Sequence, residues 1–177
     1  MCIRDRCSTL ARLSLPGVRL TLDFNEAESD TGLETVEYLI ATNHPNPPGR
    51  LQDIASGGEL ARISLAIQVV AAERSMLPCL ILDEADIGVG GTTADVVGRM
   101  LQKLASHTQV VCITHAPQVA ALASVHMKVD KMKHQDTSVE KLSDDGRVDE
   151  LARMLGGRTI TDDTRDFART LLADTHT

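Results

Sequence analysis

Two short apolar runs, Cys79–Leu82 and Gln109–Ile113, constrain the fold more than any other feature of this sequence. A brief run of this kind marks a strand buried on both faces. Between them lies a segment with Val96, Val97, Met100, Leu101 and Leu104 along one side, at helical spacing. A further helical stretch, Gln118–Ala123, follows the second run. Before the first, Leu60, Ile63, Ile67, Val70 and Ala71 recur at the same spacing until Pro78 ends the segment. Helix, strand, helix, strand and helix in this order predict parallel strands joined by crossover helices, an α/β arrangement.

The flanks are less parallel. Val18, Leu20, Leu22 and Phe24 alternate with polar residues, and Val36, Tyr38 and Ile40 alternate again after the turn-like stretch Asn25–Gly32, so an antiparallel hairpin is expected. Asn43–Gly49 carries three prolines and is expected to be a loop. His126–Lys131 and Thr137–Leu142 are candidate strands around a polar turn. Arg147–Leu155 predicts a helix capped by Gly156 or Gly157, and a last helix should start at the N-cap Thr161 and bury Phe167, Leu171 and Leu172. Met1–Ser8 match no pattern, and residues 1–9 stay unassigned.

With 177 residues, 42% of them apolar and 24% charged, the chain can enclose one real core. No apolar run approaches the roughly 18 residues that span a bilayer, and Arg4, Asp5 and Arg6 stand where a signal peptide would be apolar. A cytoplasmic protein with no membrane partner is expected. The four cysteines form no CxxC pair, and Cys79 and Cys112 read as small buried hydrophobes. The net charge of −7, one Tyr and two Phe exclude a broadly basic nucleic-acid surface and a base-stacking platform. Any contact with DNA has to be local or made by other parts of a longer protein.

Three motifs carry chemistry. Ser56-Gly57-Gly58-Glu59 opens a helix, where two glycines, a hydroxyl and free N–H groups can meet a phosphate. The same residues also suit an ordinary serine N-cap. Leu80-Ile81-Leu82-Asp83-Glu84 is an apolar strand ending in adjacent carboxylates, at the strand end where α/β folds bind ligands. Asp83 suits a Mg²⁺ ion held through water, and Glu84 suits a general base acting on an attacking water. The alternative is a solvent-facing acidic loop. Thr114-His115-Ala116-Pro117 ends the next strand, where His115 could meet a γ-phosphate or simply be structural.

The order of these motifs resembles the head of an ABC-type ATPase. Ala55–Arg62 is similar to the ABC signature in its SMC-like form, with Glu59 where transporters usually carry Gln. Ile81–Gly91 resembles the Walker B strand and D-loop of the RecN-like repair proteins, Gln109–Ala121 their switch-histidine segment, and Glu150–Gly157 their C-terminal stretch. The likeness runs from about Val18 to the end. It implies the C-terminal half of an ABC-type head over residues 10–177, with a mostly parallel sheet, flanking helices and an antiparallel hairpin. It also implies ATP and Mg²⁺ as cofactors, action at DNA double-strand breaks in repair and recombination, a nucleoid-associated location, and a coiled coil between two head halves. Ser56, Gly57, Gly58 and Glu59 would reach ATP held by the opposite head of a homodimer. Asp83 and Glu84 would act on the ATP of their own head, Asp86 would contribute to the interface between heads, and His115 would contact the γ-phosphate.

One departure is large. A phosphate-binding loop needs G-x-x-x-x-G-K-[ST], and no Gly-Lys dipeptide occurs in the sequence. A fragment that is inactive alone and takes this loop from a missing N-terminal head half is therefore expected. The other readings are a transporter nucleotide-binding subunit, which Glu59 and the Gly88–Gly91 run disfavour, and a non-catalytic module of the same fold. Intact Asp83, Glu84 and His115 argue against the last, because unused carboxylates at a core edge are costly.

Overall fold

Helix α1 (Ile3–Arg12) forms where no sequence pattern was readable, because Leu10 and Leu13 are fully buried and Cys7 packs on the same core. Ser14, in the left-handed region at φ 59°, ends it, and the Leu15 amide reaches back to the Leu10 carbonyl. This computed structural model describes residues 3–29, 32–41, 47–54, 56–75, 77–83, 86, 89–131, 136–156 and 159–174.

Strands β1 (Arg19–Ser29) and β2 (Gly32–Ala41) pair antiparallel from Arg19↔Ala41 out to Ser29↔Gly32. The expected hairpin is present but longer, because the backbone ladder continues through the polar residues beyond Asn25. At its base Leu20 and Ile40 are buried, whereas Phe24 and its partner Val36 are exposed, so the ribbon projects past the core. Of the proline-rich segment, residues 42–46 lie outside the described residues, and Pro47 and Pro48 lead into β3 (Gly49–Arg50), which joins β2. A single turn, α2 (Leu51–Ile54), precedes α3 (Gly57–Ser75).

The α/β unit follows: β4 (Cys79–Asp83), α4 (Thr92–Leu104), β5 (Gln109–Ile113) and α5 (Pro117–Ala121). Strands β4 and β5 are parallel, in register from Cys79↔Gln109 to Asp83↔Ile113. The core joins Ile63, Ala66 and Val69 of α3, Leu82 of β4 and Val97 and Leu101 of α4 to the α1 and ribbon residues. The expectation of strands buried on both faces is corrected. Leu80, Leu82, Val110 and Cys112 turn to the helices, while Cys79, Ile81 (66% exposed), Val111 and Ile113 are exposed. Period-two alternation puts these sets on opposite faces, and the core with α3 and α4 covers only one. Cys79 is thus not the buried hydrophobe expected.

Strands β6 (Met127–Lys131) and β7 (Thr137–Lys141) make an antiparallel pair, and α6 (Asp144–Gly156) and α7 (Asp162–Ala173) close the described chain. Parallel pairing among the described residues is therefore confined to β4–β5, and the other three ladders are antiparallel. The Thr161 cap is a full capping box: the Thr164 amide donates to Thr161 Oγ1 (3.3 Å) and the Thr161 amide to Thr164 Oγ1 (2.9 Å). Phe167, expected in the core, is 53% exposed. The inward stripe of α7 runs through Ala168, Leu171 and Leu172 against Leu151 and Ala152, and Phe167 falls beside it. Gly157 lies outside the described residues.

Candidate functional site at the strand ends

The signature-like motif forms the first turn of α3. The Ser56 amide donates to Glu59 Oε2 (2.9 Å) and the Glu59 amide donates to Ser56 Oγ (3.3 Å), a reciprocal capping box. Glu59 is thus committed to the backbone of Ser56. The amides of Gly57 and Gly58 sit in the first turn of the helix, where N–H groups lack partners within the helix itself. A Cβ built on Gly57 would meet nothing within 4 Å, so this turn is open to an approaching group. Ala55 lies outside the described residues.

Asp83 is the last residue of β4, exposed, and opposite Ile113 in the ladder. Among the described residues it makes no hydrogen bond or ion pair, and no group of three or more His, Cys, Asp or Glu gathers to cage a metal. That donor set fits Mg²⁺, which keeps most of its waters and takes one or two carboxylates beside phosphate oxygens. Glu84, the expected general base, lies outside the described residues, as do Ala85, Ile87 and Gly88.

Asp86, expected to contribute to the interface between heads, is 1% exposed, with its carboxylate turned into the chain. Its Oδ2 accepts from the Thr114 hydroxyl (2.6 Å), the Ala116 amide (2.8 Å) and the His115 amide (3.1 Å), and His115 Nδ1 lies 3.3 Å away. The physical reason is the start of α5. Ala116 is its N-cap and Pro117 follows, so amides left without helical carbonyls are met by a carboxylate from the neighbouring strand end. Thr114 Oγ1 accepts from the Ala116 amide as well (2.9 Å). The part played by Thr114 was missed from sequence; its position two residues before a proline-led helix start was the available signal.

The His115 side chain is 74% exposed, held from behind by Asp86 and open in front. Beneath it, burial and then the Asp86 charge push the Cys112 thiol up to about 11, so this cysteine is a neutral packing group and no nucleophile. The structure therefore brings Asp83, Asp86 and His115 to one end of the β4–β5 pair. Ser56 and Glu59 bond to each other, and no hydrogen bond among the described residues ties them to that group.

No protein-family model matches the chain. It is similar to the DNA repair protein RecN of Vibrio cholerae serotype O1, with 45% identity over 147 residues, covering 81% of this chain and 26% of that protein. The DNA repair protein RecN of Xylella fastidiosa (strain Temecula1) is 40% identical over 169 residues, covering 92% of this chain and 30% of the relative. The chain thus spans well under half the length of the curated relatives it matches. Among solved structures, the Smc head domain with a coiled coil and joint from Pyrococcus yayanosii superposes with a TM-score of 0.69 at 21% identity, covering 84% of this chain and 28% of that one. A structure solved in work on ATP-driven dimerisation and DNA-stimulated activation of SMC ATPases gives 0.64 at 19% identity, covering 89% and 92%.

The fold is that of an SMC-type ATPase head, a mixed α/β arrangement of sheets with flanking helices. Within that class the chain is RecN-like, as the identities over most of its length establish. No helix among the described residues is long and apolar enough to cross a membrane.

Proposed function

We propose that this chain forms part of a RecN-like ATPase head that binds ATP with Mg²⁺ and hydrolyses it during DNA double-strand break repair and recombination. The observation that carries the reading is the β4–β5 register, in which Asp83 pairs with Ile113, two residues before His115. A metal-binding carboxylate and a γ-phosphate contact would have to stand at one end of the sheet, and the shared strand ends of Asp83 and the His115 connector support that reading. Helix α3 feeds β4 through residues 76–78 only, which directs its N-terminal turn toward that same edge when the helix packs back along the strand.

In this reading Asp83 would hold the Mg²⁺, Glu84 would take a proton from the attacking water and His115 would donate to the γ-phosphate. Ser56, Gly57 and Gly58 offer hydroxyl and amides to the nucleotide of a second, identical head, with Glu59 holding the turn in shape. Bound Mg²⁺ would neutralise charge on the phosphates. The Gly-Lys phosphate loop that this chain lacks comes from an N-terminal head half. Contact with DNA is made through the longer protein, in keeping with the acidic surface here and a cytoplasmic, nucleoid-associated place of work.

The test uses this chain co-expressed with an N-terminal RecN-like segment that bears the phosphate loop. Ser56→Arg puts a long cation into the open first turn of α3, and ATP-driven head association, followed by light scattering, should be lost. Undiminished association would remove Ser56 from the nucleotide interface.

A further inference from the structure

We infer that Asp86 is a positioning residue, whose buried carboxylate sets where the His115 loop stands relative to the carboxyl end of β4. The inference rests on the reading of His115 as the γ-phosphate contact and adds the element that aims it. Only three residues separate the end of β5 from the start of α5, and Asp86 holds each of them. It takes the hydroxyl of Thr114, the amide of His115 and the amide of Ala116, and it stands 3.3 Å from the His115 ring. Apart from Thr114 itself, whose Oγ1 accepts from the Ala116 amide, no other side chain among the described residues hydrogen-bonds to this connector. With Nδ1 turned toward Asp86, Nε2 is the ring nitrogen left for a ligand.

The arrangement is lopsided. Among the described residues Oδ2 receives every contact, while Oδ1 is buried with no hydrogen-bond partner. A buried carboxylate is costly unless charge-assisted donors satisfy it, and those among the described residues come from the one segment that presents His115. The Val89 amide bonds to the Asp86 carbonyl at 3.0 Å, so the backbone at Asp86 is itself held. The carboxylate therefore ties the position of Asp86 to that of the His115 connector.

The experiment is amide hydrogen exchange by NMR on the full 177-residue chain, for wild type, Asp86→Ala, Asp86→Asn and Thr114→Val. With Asp86→Ala, exchange at His115 and Ala116 should speed up at least tenfold while the ladder amides of Leu20 and Ile40 keep their protection. Asp86→Asn retains an acceptor oxygen and should restore part of the protection, while shifting the His115 Nδ1 resonance. Unchanged exchange at His115 and Ala116 in Asp86→Ala would overturn the proposal. Should that variant lose protection throughout, Asp86→Asn and Thr114→Val decide: wild-type exchange at both amides and an unmoved Nδ1 resonance in both would overturn it. In the co-expressed head, Asp86→Asn should lower kcat roughly tenfold with KM for ATP changed less than twofold. If His115→Ala leaves turnover untouched while the exchange results hold, Asp86 still positions the loop and the assignment of His115 to the nucleotide fails.

Discussion

Gly98 offers the sharpest test of how α4 carries the site. A Cβ at this position would lie 2.5 Å from Leu122 Cδ1, 3.3 Å from Val119 Cα and 3.4 Å from the Gln118 carbonyl oxygen. The leucine tip can rotate away, but the other two atoms are α5 backbone, and α5 starts two residues after His115. Gly98→Ala meets a tight contact but gains about 1 kcal/mol of helix propensity, so it should stay within about 1 kcal/mol of wild type. Gly98→Val adds two methyl groups against that backbone. Overpacking of this kind costs about 1–3 kcal/mol, against roughly 0.5 kcal/mol of regained propensity. The expected net loss is about 0.5–2.5 kcal/mol, a fall in Tm of roughly 1–10 °C for a domain of this size. Urea unfolding followed by far-UV circular dichroism should show a lower midpoint for Gly98→Val at an unchanged slope. Amide exchange at Ala120, whose N–H bonds to the Ala116 carbonyl at 3.1 Å, should rise with it. A Gly98→Val chain as stable as wild type would refute the close approach of α4 and α5.

Two further outcomes follow from the second half of the fold. His126 has its pKa lowered from 6.5, first by burial and then by the Arg147 charge, with Glu150 opposing. The unfolded chain therefore takes up a proton first on acidification, so stability from this residue is intact above about pH 6.5 and is lost as pH falls below it. Wild type should lose more stability than His126→Gln between about pH 7.5 and pH 5.5, and superimposable pH profiles of Tm would contradict the assignment. Leu151 of α6 is fully buried in a small cluster whose other buried members are alanines, ringed by partly buried residues such as Leu171 and Leu172. Leu151→Ala should cost about 2–5 kcal/mol in urea unfolding, and a loss below about 1 kcal/mol would show that this cluster carries little.

Periodicity made much of this fold legible. The bounds of β5 are those of its apolar run, the Leu60–Ala71 spacing lies within α3, and Thr161 caps α7 as its residue type suggests. The faces were harder to read, because an apolar run shows that a strand is apolar and not how many layers cover it. Hence Ile81 and Cys79 came out exposed. Helix α1 escaped notice since its anchors, Leu10 and Leu13, sit at its C-terminal end behind a polar start. At the site, Ser56, Asp83 and His115 could be picked out by residue type at helix and strand ends. The role of Asp86 could not, because its donors are 28 to 30 residues away and meet it only through the parallel register of β4 and β5. Tertiary pairing of that range leaves no local pattern in the chain.

In the function proposed above, Glu84 of this chain is the catalytic carboxylate of a head whose phosphate loop is supplied by another segment. ATP hydrolysis by the co-expressed head, measured beside its Glu84→Gln form and beside this chain alone, tests it most directly. The chain alone should show no turnover, and the assembled head should hydrolyse ATP. Glu84→Gln should bind ATP as well as wild type and turn it over at least about 100-fold more slowly, as loss of a general base demands. Normal hydrolysis by the Glu84→Gln head, or robust hydrolysis by the chain alone, would contradict the claim.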